Sequence, residues 1–260
     1  MIIPLGDDNS DRRTTPYVTW IFIAINIAVF VFLQGLGGNA EFTYAFSTVP
    51  EEILSGRDLV TQDQVVQNPV TGAQYRRPGL QPTPISVYIT LITSMFMHGG
   101  FAHILGNMLF LFIFGDNIED RLGHGRYIVF YLLVGIIASL AHVFTTAAMD
   151  GNMLVPSLGA SGAISGVLGA YLLLFPRKRV TVILIRILMP VPAVVAIGIW
   201  FLFQLLNGMG ALGSQTGGVA YAAHIGGFIA GLLLVKAFDQ GPPRRSTSRG
   251  RSARNYRMRR

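Results

Sequence analysis

Six stretches of this 260-residue chain are apolar for long enough, or nearly long enough, to cross a bilayer, which takes ~20 residues of helix. They cover residues 17–33, 96–118, 127–148, 158–175, 191–206 and 219–238. Backbone polar groups in hydrocarbon must bond within their own segment, so each stretch reads as a helix. The whole reads as an all-α polytopic membrane protein, a six-transmembrane-helix bundle. Composition agrees, with 51% hydrophobic and only 13% charged residues, too few charges for an ordinary soluble surface. Two stretches are shorter than a comfortable span, which implies tilt, local thinning or a helix ending inside the protein.

Positive charge orients the bundle, because short cytoplasmic loops retain Lys and Arg. Arg12, Arg13, Arg121, Arg126, Arg177, Lys178, Arg179 and Arg186 fall on one side with the C-terminal arginines. The loops at 150–157 and 207–218 on the other side hold no Lys or Arg. Both termini are therefore expected in the cytoplasm. The resulting division is a cytoplasmic segment at 1–16, a six-helix membrane domain at 17–238 with a long outer loop at 34–95, and a basic tail at 239–260. A 34–95 excursion is expected to be functional or partly folded rather than slack. Residues 180–189 read as an interfacial segment leading into the fifth helix.

Net charge is +7, and eight of the 20 Lys and Arg residues lie between Arg244 and Arg260. That tail has almost no apolar residues and reads as disordered, suited to anionic lipid headgroups. Its single aromatic residue, Tyr256, does not make the repeated aromatic-basic interleaving of a single-strand binder, so no nucleic-acid partner is expected. The chain has no cysteine, which removes disulfides, thiolate metal sites and a cysteine nucleophile together. The first 16 residues carry acids and lack an apolar core, so they do not read as a signal peptide.

Polar groups at membrane depth are costly, and those in this chain cluster near one side. Ser161 lies in Gly159-Ala160-Ser161-Gly162, at the start of the fourth helix. There the helix dipole is positive and the first backbone N–H groups have no intrahelical partner, so they can stabilise an oxyanion formed on that serine. A plain helix-capping serine ahead of the small packing residues Gly162, Gly166 and Gly169 is the simpler alternative. His224 lies about one turn into the sixth helix from the same side, with Gly227 and Gly231 allowing close helix approach. A neutral imidazole beside a serine hydroxyl is the pair that removes the hydroxyl proton during attack.

His98, His103 and Asn107 lead into the second helix, and the last two, four residues apart, share a face. Facing the serine, they would add oxyanion donors. Zinc on His98, His103 and His224 is the competing reading, but no His-Glu-x-x-His pair or carboxylate accompanies them, so no metal is expected. Asp116, Glu119 and Asp120 lie at the wrong end to orient His224, and Asp239 is roughly 22 Å along the helix. A Ser-His dyad without an acid is the result. Asn26 and Gln204 read as interhelical hydrogen-bond partners, and His124 and His142 as incidental.

Together, His98-x4-His103-x3-Asn107, Gly159-x-Ser161-Gly162 and Ala223-His224-x-Gly226, in this order on these spans, resemble the rhomboid intramembrane proteases. The resemblance implies an intramembrane serine endopeptidase that cuts transmembrane protein substrates near the extracytoplasmic boundary without a cofactor. Ser161 would be nucleophile and His224 base; His103 and Asn107, with the Ser161 amide, would line the oxyanion hole, and His98 would be accessory. Glu119, at the exit of the second helix, would bond free backbone groups. Many members carry Trp-Arg ahead of the second helix, where this chain has residues 85–88, Ile-Ser-Val-Tyr. Some carry an aromatic four residues after the serine that stacks on the histidine, where this chain has Ser165.

A rhomboid-like pseudoprotease that binds membrane proteins without cutting them is the alternative, and would tolerate loss of the serine or histidine. A transporter would favour intramembrane acids or repeats, which are not seen. The compact loops and lack of a seventh span point to a prokaryotic plasma membrane.

Overall fold

The computed structural model describes residues 2–67, 72–184, 187–211, 221–239 and 241. In chain order these form β1 (Ile2–Asp7), α1 (Tyr17–Ala28, running into one wide turn Val29–Leu33), α2 (Ala40–Ala45), α3 (Pro50–Ser55), β2 (Gln64–Gln67) and β3 (Gln74–Arg77). There follow α4 (Thr90–Thr93), α5 (Phe101–Leu122), α6 (His124–Ala148), α7 (Ser161–Leu174), β4 (Arg179–Leu184), β5 (Ile187–Pro192), α8 (Ala193–Ala211) and α9 (Tyr221–Phe238). The chain is mostly helical. Among the described residues α5, α6 and α9 are long and apolar enough to cross a membrane, while Tyr17–Leu33, Ser161–Leu174 and Ala193–Gly208 are shorter apolar helices.

The axis of the bundle is α7, in which every residue from Gly162 to Tyr171 is buried. Its Gly-x3-Gly spacing puts small residues on one stripe, and α9 presents Gly227 and Gly231 at the same spacing. The two backbones meet there. A Cβ added to Gly227 would stand 2.1 Å from the Gly162 carbonyl oxygen, and one added to Gly231 would stand 1.9 Å from that of Gly166. On a third side, a Cβ on Gly162 would lie 2.7 Å from the Ala138 methyl of α6. This seam sets the depth and rotation of the two helix starts, residues 161 and 221.

At the opposite end, α1 begins after Pro16 with no capping side chain of its own. The buried Glu119 carboxylate of α5 takes that role, accepting from the amides of Val18 (2.9 Å) and Thr19 (2.7 Å) and from the Thr19 hydroxyl (2.7 Å). Free N–H groups and the positive dipole end favour an anion there, as expected for Glu119. His124 Nδ1, read as incidental from sequence, lies 2.6 Å from the same carboxylate. Asp120 accepts from the amides of Arg13 and Thr14, and Arg12 pairs with Asp116 at 2.5 Å. Arg121 holds Asp239 at 2.6 Å just beyond α9.

Two small sheets correct the wholly helical expectation. The antiparallel sheet β1-β4-β5 closes the Glu119 end, and β2 pairs with β3 inside the 34–95 connection. Of residues 180–189, expected as an interfacial lead, 180–184 belong to β4 and 187–189 to β5, which pair with each other. The signal was present: Val180 and Val182 are buried while Arg179 and Thr181 are exposed, the period of two that marks a half-buried strand. The missing part was the partner, β1, which aligns Ile3 with Ile183 and Asp7 with Val180 across a bulge between Pro4 and Gly6. A proline has no N–H to give a ladder, which fits its place beside the irregularity.

The expected fourth span loses residues 158–160 to an extended loop, so α7 begins at Ser161 itself. The 34–95 connection is partly folded, as its length implied, with α2, α3, the β2–β3 hairpin and α4. Arg186, residues 212–218 and tail residues 242–260, on which the charge argument drew, lie outside the described residues.

Two expectations follow from this frame. Gly231→Ala forces a methyl onto a backbone oxygen, so it should lower the melting temperature in detergent and reduce serine-directed labelling at least tenfold, overpacking costing about 1–3 kcal/mol. Gly125→Ala, with open space around it, should leave both unchanged. The second concerns Asp7, whose carboxyl burial raises from 3.8 to about 6, although the Tyr171 hydroxyl (2.5 Å) and the Asn117 amide (2.7 Å) donate to it. A folded pKa above the unfolded one means the folded state binds the extra proton, so stability is gained as pH falls through 6 towards 4. Asp7→Asn should therefore melt at or above wild type at pH 7.5, and wild type should gain on it by pH 5.

Candidate active site

The loop ahead of α7 is fastened on both flanks. Thr48 and Ser157 exchange backbone hydrogen bonds of 3.0 and 2.8 Å, and the Gly159 amide donates to the Ser94 carbonyl at 2.8 Å. Gly159 takes φ +128°, in the region that side chains avoid, and a Cβ there would stand 2.7 Å from the His103 ring. That glycine turns the chain sharply into α7 and lets the His103 ring lie against the loop. Ala160 occupies the cap position without a side-chain bond, and Ser161 is the first helical residue. Its hydroxyl does not cap the helix. Instead Ser161 Oγ lies 2.7 Å from His224 Nε2.

His224 sits in the first turn of α9, one turn before the seam residue Gly227, and is buried. Its Nδ1 lies 2.9 Å from Gln204 Oε1 on α8, so the ring is bonded at both nitrogens. Trp200, four residues before Gln204 on the same face of α8, packs near the ring at 6.3 Å between centroids. Ser165 turns away, donating to the Ser161 carbonyl at 2.6 Å.

His103, in the first turn of α5, accepts from the Gly99 amide at Nδ1 (3.3 Å). A neutral ring that accepts at Nδ1 carries its proton on Nε2, and that Cε1–Nε2 edge is the one beside Gly159. His98 packs edge-on against His103 at 5.1 Å and is fully buried. Its main chain is held by Gln34, which accepts from the His98 amide (2.9 Å) and donates to its carbonyl (3.0 Å) and to the Thr43 hydroxyl (3.1 Å). Asn107 is buried one turn along from His103, and its Nδ2 has no hydrogen-bond partner among the described residues.

Of the five sequence-selected residues, Ser161 and His224 are in direct contact, His103 lies against Gly159, His98 packs on His103, and Asn107 follows His103 by one turn on α5. The acids Asp116, Glu119, Asp120 and Asp239 are engaged at the other end of the bundle. Gln34 and Gln204 are the residues that sequence reasoning passed over as site components. Their signal was the same as for the others, an uncharged polar side chain in or beside an apolar stretch. Asn26, read as interhelical, instead donates to the Phe22 carbonyl of its own helix at 2.7 Å.

The sequence pattern of the Rhomboid domain matches residues 86–239, more than half of the chain and all five of these positions. The chain belongs to the rhomboid family. It is 33% identical over 178 residues to the Rhomboid protein 1, mitochondrial, of Saccharomyces cerevisiae, covering 66% of this chain and 49% of that protein. It is 29% identical over 215 residues to the Rhomboid protease GluP of Bacillus subtilis, covering 81% and 35%. It is 27% identical over 189 residues to the Presenilin-associated rhomboid-like protein, mitochondrial, of Mus musculus, covering 66% and 46%. This rhomboid chain therefore aligns with about half or less of the length of each of these relatives. It is an integral membrane protein.

Proposed function

We propose that this rhomboid chain is an intramembrane serine endopeptidase that cleaves transmembrane protein substrates with Ser161 as nucleophile and His224 as base. The observation that carries the reading is the 2.7 Å contact between Ser161 Oγ and His224 Nε2 at a helix N-terminus. In the first step Nε2 takes the hydroxyl proton, Oγ bonds the scissile carbonyl carbon, and the carbonyl pair moves onto oxygen. On this reading the Ser161 amide, His103 Nε2–H and the Asn107 side-chain amide donate to that oxyanion, the free Asn107 Nδ2 supporting the assignment. Collapse breaks the C–N bond, and the proton on Nε2 passes to the departing nitrogen. Water then gives a proton to Nε2 as it attacks the acyl carbon, and Ser161 leaves with that proton. His98 contributes by holding the His103 ring. No step requires a metal or cofactor.

The six-span reading counts three of the shorter apolar helices, Tyr17–Leu33, Ser161–Leu174 and Ala193–Gly208, with α5, α6 and α9. A 14-residue α7 is about 21 Å long, against ~30 Å of hydrocarbon, so its first residue lies well below one membrane face. Arg12, Arg121 and Lys178 gather at the opposite end, which the positive-inside rule assigns to the cytoplasm. Both termini are then cytoplasmic, and cleavage falls near the extracytoplasmic boundary. The relatives named above include mitochondrial proteins and a bacterial one, so a prokaryotic plasma membrane rests on this chain's compact loops alone.

Purified protein tested with a serine-directed fluorophosphonate separates this reading from a pseudoprotease that only binds its partners. Wild type should be labelled at Ser161, Ser161→Ala not at all, and His224→Ala about 10²-fold more slowly or worse. Absence of labelling in folded wild type, or cleavage of a single-span reporter by Ser161→Ala, would sink the assignment. Asn107→Ala should lower kcat on the same reporter by about 10²-fold with little change in KM, the pattern of a lost transition-state contact. A rise in KM at constant kcat would move Asn107 from the oxyanion to substrate binding.

A further inference from the structure

Gln204 is buried on α8, and its carbonyl oxygen lies 2.9 Å from the nitrogen of His224 that Ser161 does not use. A carboxamide in an apolar span is costly and calls for a partner. Phe201 stacks on Phe228 at 4.1 Å and 18°, which fixes the register of α8 against α9 one turn below the pair. Trp200 and Gln204, four apart on that same face, then bracket the imidazole. The arrangement is a chain from Gln204 Oε1 through Nδ1 and Nε2 to Ser161 Oγ.

Which imidazole nitrogen carries the proton is set by the bond that the other one makes. A carbonyl oxygen only accepts, so Gln204 Oε1 requires Nδ1–H and leaves the Nε2 lone pair facing Ser161. That is the tautomer able to take the hydroxyl proton. The same carbonyl dipole faces the ring when it becomes imidazolium, where low dielectric makes the contact count for more than in water. His224 Nδ1 meets an amide oxygen, and the helix acids Asp116, Glu119 and Asp239 are committed at the other end of the bundle, so a neutral acceptor performs the part that an acid performs in a serine-histidine-acid triad.

We propose that Gln204 is a positioning residue, which holds His224 in the Nδ1–H tautomer and couples the seating of α8 to the readiness of Ser161. The proposal rests on the protease reading above. Gln204→Met keeps length and apolar packing but removes the acceptor; Gln204→Glu keeps an acceptor. Expected for Gln204→Met is a fall of about tenfold in both kcat on the single-span reporter and fluorophosphonate labelling rate, with KM and melting temperature unchanged. Gln204→Glu should return the rate to within about threefold of wild type. The ring 15N shifts of His224, assigned by subtraction of His224→Ala, read the tautomer without turnover: Nδ1 protonated in wild type, and a mixture with Nε2 in Gln204→Met.

Unchanged kcat in Gln204→Met, a loss confined to KM or melting, or Nε2 protonation in wild type would each overturn the inference. Wild type that takes no fluorophosphonate but shows the Nδ1–H tautomer and its loss in Gln204→Met would refute the protease reading while leaving the positioning contact in place.

Discussion

Gly227 and Gly231 of α9 lie against the carbonyl oxygens of Gly162 and Gly166 of α7 at separations no side chain can share. Everything at the serine end of the molecule depends on that contact. Lipid supplies no hydrophobic drive to press helices together, so approach is set by how close two backbones can come. Ser161 precedes the first glycine of one stripe by one residue, and His224 precedes the first of the other by three. When the stripes register, the two side chains are delivered to hydrogen-bond distance. The chemistry and the packing are specified by the same dozen residues.

Much of this was legible in the sequence because membrane helices obey few rules. Apolar length located the helices, and the scarcity of buried polar groups singled out Ser161, His224, His103, Asn107 and His98. The Gly-x3-Gly spacing announced the seam before its partner was known. The role of Glu119 came from the family resemblance alone, since it lies near the end of α5 and the helix start it caps is that of α1, about 100 residues away in the chain. The strands were not legible, because β1 has meaning only beside β4, some 175 residues away, and a lone six-residue apolar run cannot declare its partner. Gln204 was readable as an interhelical bond but not as one to His224, since which face of α8 meets α9 depends on the Phe201–Phe228 stack.

The two ends of the bundle solve the problem of polar groups in opposite ways. At the sheet end, Asp116, Glu119, Asp120 and Asp239 meet Arg12, Arg121 and the open amides of α1, so charges are matched by charges or by helix termini. Those contacts span from the first 20 residues to the last described ones and tie α1, α5, α6 and α9 into one frame. The 34–95 connection does similar work for the serine end with neutral groups, Thr48 holding Ser157 and Gln34 holding the His98 main chain. Neither set touches Ser161, yet each fixes an element that does.

Neutrality at the serine end has a physical cause. On the proposed topology a 14-residue α7 leaves Ser161 below the membrane face, at a depth where an unpaired carboxylate would cost several kcal/mol to keep ionised. A base at that depth cannot cheaply be given an acidic partner, but it must still be told which nitrogen to protonate. An amide carbonyl meets both requirements, since it accepts a hydrogen bond and carries no charge. As proposed above, Ser161, His224, Gln204, His103 and Asn107 would form a site built from groups that are uncharged at rest. On the proposed mechanism charge exists there only in passing, as an imidazolium on His224 and an oxyanion beside the start of α7. A resting site without charge requires no counter-ion from α8, so the helix that carries Gln204 can remain apolar along its lipid face, where Leu202, Phe203 and Leu206 are exposed.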